Sequence, residues 1–393
     1  MSTRSPRTDT IVAALVAIAY LVGLTYTHQI GGGPSAPSAK ATSRPASPLA
    51  DRVVSRSAHA SQSAWLPSRP SPQVLSRNLR RAEFKWIFTR LKATDAELNW
   101  VTEGRFSELI RELRPAVERS DPRATAVFGW IAESCRLLRS AEQQRSWREF
   151  NSARLQQLSA PDQTDYRDVV ARQDQWERSF RSACENNVDQ DYADQRLERT
   201  AVNQDGASLW LLSRRSDNHA ESLRLMSQAA STGFAQAQYE FARSLIMDPD
   251  ARKAVPDAPT TAALLTEAAA EVPEAKVELA ECLFTGCSGA QPDYAGAVEV
   301  ARAAATDGEP DGILSLGSEA SAGILGPDEV AAWQLFKSTL AAQGCYGDKD
   351  GAFGMEPRSA GAPTPPPSAA ARTLAATFWQ RYGAPARAQL GCD

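Results

Sequence analysis

Apolar and polar positions follow the period of an α-helix through most of this chain. In 74–93 the apolar residues Val74, Leu75, Leu79, Phe84, Ile87, Phe88 and Leu91 recur at helical spacing. Thr94-x-x-Glu97 is a capping box that opens the next helix. Asp121-Pro122 marks another start, with proline at the first helical position of DPRATAVFGWIAESCRLL. Gln204-Asp205-Gly206-Ala207 precedes a helix through Trp210 and Leu212. The stretch 140–185 is polar and rich in Arg and Gln, with Trp147, Phe150, Tyr166, Val169, Trp176 and Phe180 as a sparse apolar stripe. It predicts two longer helices, with the Trp residues as core rather than ligand platforms. The expected fold class is all-α.

A second, longer period lies over the first. Segments beginning at Ala229, Ala268, Ala303 and Leu340 read AASTGFAQAQYEFARSLI, AAAEVPEAKVELAECLFTG, AAATDGEPDGILSLGSEASAG and LAAQGCYG. Gly233, Gly308 and Gly344 fall at matching places, and Ala237, Ala275 and Gly312 are 38 and 37 residues apart. Ala242, Ala280 and Gly317 keep the same steps. A fixed period in this range predicts stacked helical hairpins, each too thin to bury its apolar face alone. The small-small pair followed by Gly closes the first helix of a unit in the left-handed conformation. Small residues five apart let the second helix nest against the first, while Tyr239, Phe241 and Leu245 fill the space toward the next unit. A plain Ala-rich bundle is the alternative, and 7 Lys against 36 Arg fits a biased composition. Bias alone does not fix a period. Ala124, Gly129 and Ala132 echo the second helix of a unit, so degenerate hairpins are expected from about 80 onward.

The units resemble the Sel1-like repeat family, a variant of the tetratricopeptide-type α-hairpin. The clearest unit carries Ala220, Leu223, Ala229, Ala230, Gly233, Ala237, Tyr239 and Ala242. The next offers Ala263, Ala268, Ala269, Ala275, Leu279, Ala280 and Gly286, and a third Tyr294, Ala297, Ala304, Gly308, Gly312, Leu316, Gly317 and Gly323. The fourth, Trp333 to Gly344, has only its first helix. The likeness covers about 217–345, a third of the chain. It departs from the family pattern at Val272-Pro273, which replaces the usual Gly-x turn, and at Gly312 and Gly317. The resemblance implies an α-solenoid that acts as an adaptor or scaffold, not a catalyst. Repeat geometry then puts the partner-binding groove near Gln236, Tyr239, Glu240 and Arg243 and their counterparts Glu274, Val277, Glu278 and Glu281.

The amino terminus sets the compartment. Residues 1–10 carry Arg4 and Arg7 and read as a cytoplasmic tail. Residues 11–27 are apolar and uncharged, and barely long enough to span a bilayer. With the basic flank inside, the remainder is exported. The segment is either a retained single-pass anchor in a bacterial inner membrane or a cleaved signal that releases the chain to the periplasm. No Cys follows it closely, which argues against a lipoprotein anchor. Residues 28–73 are rich in Gly, Pro, Ser and Ala and read as a disordered tether. Beyond it come a helical domain with degenerate hairpins (74–216), the Sel1-like repeats (217–345), and a Pro-rich loop with a carboxyl-terminal helix (346–393). Six cysteines, all in the exported part, suggest disulfides. Sequence order and helix placement favour Cys135–Cys184, Cys282–Cys287 and Cys345–Cys392; buried free thiols are the alternative. There is no close Cys-x-x-Cys and no His near a Cys, which speaks against zinc.

Charge and chemistry narrow the function. Residues 217–350 hold 21 Asp/Glu against 8 Lys/Arg, a net of −13, leaving +9 for the rest. An acidic repeat half argues against nucleic acid, and the basic half has no dense Lys/Arg run. Of the three histidines, His28 and His59 precede the folded part and His219 opens a repeat helix. A nucleophile–base–orienter arrangement therefore has one candidate base, flanked by ordinary helix-start acids Asp217 and Glu221. Paired carboxylates such as Glu278 with Glu281, or Asp328 with Glu329, could serve a cell-envelope hydrolase, but such pairs are common in an acidic helical protein. Asp348-Lys349-Asp350-Gly351 is a poor calcium loop, since Ser359 stands where its Glu should be. No phosphate loop or dinucleotide fingerprint occurs. The expectation is a membrane-tethered scaffold for another envelope protein, not an enzyme and without a cofactor. A cell-envelope hydrolase and a plain structural spacer are the alternatives. Oligomeric state is not encoded in any of these patterns.

Overall fold

A computed structural model describes residue 67 and residues 70–392, apart from 139–140, 159, 249, 288–290, 320–324 and 346–366. The apolar segment 11–27, the tether up to 66, Gly323 and the Asp348 loop lie outside the described residues. Among the described residues every regular element longer than one residue is a helix. None of these helices is long and apolar enough to cross a membrane.

The amino-terminal half holds α1 (Pro72–Arg90), α2 (Asp95–Glu103), α3 (Phe106–Glu118), α4 (Pro122–Arg136), α5 (Ala141–Gln157), α6 (Ala160–Asn187), α7 (Gln190–Ala201) and α8 (Gly206–Arg215). Helix α1 begins at Pro72, two residues inside the stretch read as tether. Ser71 caps it by accepting the Val74 amide, and proline at the first helical position needs no partner. The Thr94–Glu97 capping box forms in both directions. Asp121 and Asp205 cap α4 and α8 through the amides of Ala124 and Ser208. The polar stretch 140–185 forms the long pair α5 and α6.

The carboxyl-terminal half holds α9 (His219–Ser231), α10 (Ala235–Met247), the short α11 (Ala251–Ala254), α12 (Thr261–Ala268), α13 (Pro273–Thr285), α14 (Tyr294–Thr306), α15 (Asp311–Glu319), α16 (Pro327–Ala342) and α17 (Ala369–Leu390). From α9 onward helices pack chiefly on those next or next but one in sequence, whereas α7 and α8 also pack on α4. Ala229, Ala237, Ala242, Ala268, Ala275, Ala280, Ala301 and Ala304 are buried at these contacts. Their short side chains let the backbones approach, as the spacing predicts. Gly233, Gly308 and Gly344 all take positive φ, +81°, +96° and +81°. Each ends a helix where a side chain would be strained. Helix α16, expected to stand without a second helix, packs on α17 through Trp333 stacked 4.1 Å from Phe378 and through Phe336 against Trp379.

Helix α1 does not continue the row. Its Phe84 and Phe88 sit in an aromatic nest with Trp130 of α4, while Trp176 of α6 stacks on Phe84. Its amino-terminal half reaches the far end of the chain. Asn78 Nδ2 donates to the carbonyls of Gln343 and Cys392 at 3.0 and 3.2 Å. The row of helices thus closes on its own first element. Three cysteine pairs brace it, Cys135–Cys184, Cys282–Cys287 and Cys345–Cys392, with Cα separations of 5.6, 4.8 and 5.2 Å. They join α4 to α6, α13 to the residue after its cap, and the turn that follows α16 to the residue after the cap of α17. These are the pairs that sequence order favours.

The glycines test this closure. A Cβ on Gly233 meets nothing within 4 Å, so Gly233→Ala carries only left-handed strain, about 1–2 kcal/mol. A Cβ on Gly344 falls 2.8 Å from Leu75 Cδ1 and 3.1 Å from the Leu75 carbonyl oxygen. Gly344→Ala should lose a further ~1–3 kcal/mol in urea unfolding, because it pries α1 from α16. Equal losses for the two variants would show that α1 is not seated there.

Candidate partner-binding surface

Helices α8, α10, α13 and α15 present one polar face. In α10 the small residues Ala237 and Ala242 pack inward, which leaves Gln236, Tyr239, Glu240 and Arg243 at i, i+3, i+4 and i+7 on another side. In α13 the same spacing places Glu274, Val277, Glu278 and Glu281. An ion pair joins the two rows. Arg243 Nε lies 3.2 Å from Glu278 Oε1. Within α10, Gln236 Nε2 donates to Glu240 Oε1 at 2.6 Å. From α8, Trp210 Nε1 donates to Glu240 Oε2 at 2.9 Å and Arg214 lies at 3.3 Å from the same oxygen. From α15, Ser315 Oγ donates to Glu281 Oε1 at 3.1 Å. The seven charged and polar residues expected at a groove therefore fall on one wall, on α10 and α13, with α8 and α15 bordering it.

Their exposure is uneven. Glu240, Arg243, Glu274, Glu278 and Glu281 are half-buried, whereas Gln236 and Tyr239 are closed off, at 3% and 9% exposed. The cover on Gln236 is one that repeat geometry does not foresee. Arg90, the last residue of α1, is buried and donates to Gln236 Oε1 and, at 2.8 Å, to Glu274 Oε2. The Trp86 ring, half exposed, lies 4.6 Å from the Arg90 guanidinium carbon. Helix α1 thus borders the wall at its amino-terminal edge and supplies two residues to it.

The electrostatics of the wall follow from this packing. Burial pushes the Glu278 carboxyl above the usual range; Arg243 opposes that and Glu281 adds to it. Burial also raises the Tyr239 phenol, and Glu278, Glu274 and Glu240 add to the shift against the pull of Arg243. Beside the Arg90 contact, Glu309 is enclosed between α14 and α15. Burial, then Glu274 and Asp311, push its carboxyl well above the carboxylate range, with Lys337 and Arg90 opposing. Lys337 is ion-paired with Asp311. Charges of both signs converge where α1, α10, α13, α15 and α16 meet.

Other candidates lie elsewhere. His219 is exposed on α9 and its Nε2 is 2.7 Å from Asp248 Oδ2; the helix cap is Asn218. Among the described residues no cluster of His, Cys, Asp and Glu is placed to hold a metal ion. Of the Trp residues in the polar stretch 140–185, expected as core, Trp176 is half-buried against Phe84 and Trp147 is half-buried beside an exposed Phe150; Trp130, Trp210 and Trp333 are core. The sequence reading missed Trp86, Arg90 and Glu309. A basic residue in the last turn of a helix is an ordinary dipole partner, and nothing near Arg90 in sequence marks contacts 146 and 184 residues away. A scan of family models finds no match for this chain, and a search of curated proteins finds none either.

Proposed function

We propose that this chain is an exported scaffold, a Sel1-like α-solenoid tethered to the bacterial inner membrane through residues 11–27, whose polar wall binds a segment of another envelope protein. The observation that carries the reading is the shared spacing of Gln236–Arg243 and Glu274–Glu281 on neighbouring helices. It gives a face shared by α8, α10, α13 and α15, half open to solvent and rich in carboxylates. Helical repeats hold extended partners on surfaces of this kind. The half-buried carboxylates Glu240, Glu278 and Glu281 suit a partner segment carrying Lys or Arg, with the exposed Trp86 as a flat apolar anchor beside them. The three disulfides fit an oxidising compartment.

The hydrolase reading draws on the raised Glu278 next to Glu281. Both acids project from one helix at i, i+3, and Arg243 and Ser315 engage them. Glycoside hydrolysis needs two carboxyls on either side of the scissile bond, so the scaffold is the better fit.

A photo-crosslinking residue at Arg243 or Glu281 in intact cells should give one discrete adduct with another envelope protein. The same residue at Arg224, on the exposed face of α9, should give none. Glu278→Gln with Glu281→Gln should weaken the adduct several-fold while the chain stays folded. Adducts equal at all three positions, or none at the wall, would overturn the reading.

A further inference from the structure

Away from the wall, a cleft of about 360 Å³ opens between α1, α2 and the end of α17. Arg77, Arg81 and Lys85 line it from α1, Asn99, Thr102 and Glu103 from α2, and Ala388 and Gly391 from the carboxyl-terminal side. The three cations stand at i, i+4 and i+8, one above another on a single helix face, where like charges repel. Neither Arg77 nor Lys85 has an ion-pair partner among the described residues. Arg81 is held by Asn99, whose Oδ1 accepts from Nη1 at 2.5 Å, and lies 3.9 Å from the exposed Asp95. The acid on the rim, Glu103, lies 3.5 Å from Arg105 outside the cleft.

The cleft floor also restrains these stems. Gly391 takes φ +78° and brings the chain end against α1. A Cβ there would fall 2.9 Å from Lys85 Cβ and 3.4 Å from Arg81 Cγ. The contact fixes where the two side chains leave the helix while their heads stay accessible. A guanidinium pre-oriented by an amide, a second guanidinium and an ammonium around one concavity match an oxyanion of at least two negative charges. The volume is at the lower end of small-ligand sites, roughly 300–1,000 Å³, which leaves room for an organic group beside the anion.

We infer that this cleft is a binding site for a phosphate ester or diphosphate group, held by Arg77, Arg81 and Lys85. The chemistry is shared by a soluble phosphate compound and an anionic lipid headgroup, and the test separates them. The full chain is titrated calorimetrically with inorganic pyrophosphate and, separately, with soluble short-chain phosphatidic acid. Binding of pyrophosphate supports a free phosphate ligand. Binding of phosphatidic acid alone supports a headgroup. Either should weaken at least ~10-fold in the triple variant R77Q/R81Q/K85Q, fall as salt is raised, and persist in R105Q. The variant's helical circular dichroism and unfolding midpoint should match the parent, since all three substitutions keep the apolar stems near α1. Absence of binding in both arms, or unchanged binding in the triple variant, would overturn the site.

Discussion

Replacing Arg90 with Met should lower the unfolding free energy by about 3–5 kcal/mol, the range for removing one partner of a buried ion pair. The guanidinium side chain is 4% exposed and its nearest carboxylate, on Glu274, is 29% exposed. The guanidinium therefore keeps little water of its own, while Glu274 stays partly solvated. Without Arg90, Gln236 loses the donor to its carbonyl oxygen in a closed space, and Glu274 loses its opposing charge. Glu309 loses one of the two cations that counter its surroundings. Methionine keeps much of the stem volume against Trp86, so the loss reports on charge and hydrogen bonds more than on packing. Urea unfolding of Arg90→Met, Glu274→Gln and the double variant gives the coupling directly. A loss under ~1 kcal/mol for Arg90→Met would mean that α1 does not depend on the wall.

The second large effect belongs to the carboxyl terminus. Converting Cys345 and Cys392 together to Ser should cost about 4 kcal/mol, the loop-closure value for a separation of 47 residues. The bridge does more than shorten the unfolded chain. It fixes Cys392, whose carbonyl accepts from Asn78, against the end of α16. Released, α17 keeps its aromatic contacts with Trp333 and Phe336 but loses its anchored end. Thermal unfolding in oxidising and reducing buffer, compared between parent and variant, checks this. The parent should fall to the variant's midpoint when its disulfides are reduced only if the other two bridges contribute little; a variant as stable as the oxidised parent would remove the bridge from the account.

What the amino-acid order makes legible here is local. Helix starts at Thr94, Asp121 and Asp205 can be read because a cap is a contact across three residues. The ends at Gly233, Gly308 and Gly344 can be read because left-handed backbone selects one residue type. The i, i+3, i+4, i+7 rows of α10 and α13 are legible for the same reason, and so is the face they share. The burial of Gln236 is not legible, since Arg90 reaches it from 146 residues away. The seat of α1 is likewise hidden. Its apolar stripe through Phe84, Ile87 and Phe88 says that one side is buried, but not against which helices. Docking of one helix across 146 residues or more leaves no period to detect. The basic cleft is hidden for a related reason. Arg77, Arg81 and Lys85 look like an ordinary solvated face until Gly391 arrives beside them.

The contact between Asn78 and the carbonyls of Gln343 and Cys392 has a consequence for how this protein can vary. An open-ended array can acquire or shed a unit by duplication or deletion and remain viable, because nothing measures its total length. Here the two extremities gauge each other. An extra pair of helices would displace them by roughly 8–10 Å per helix, beyond any side chain's ability to bridge, and both acceptors of Asn78 would be stranded. The contact therefore constrains how many helices lie between the two extremities, whereas an insertion that only lengthens a surface connection leaves it intact.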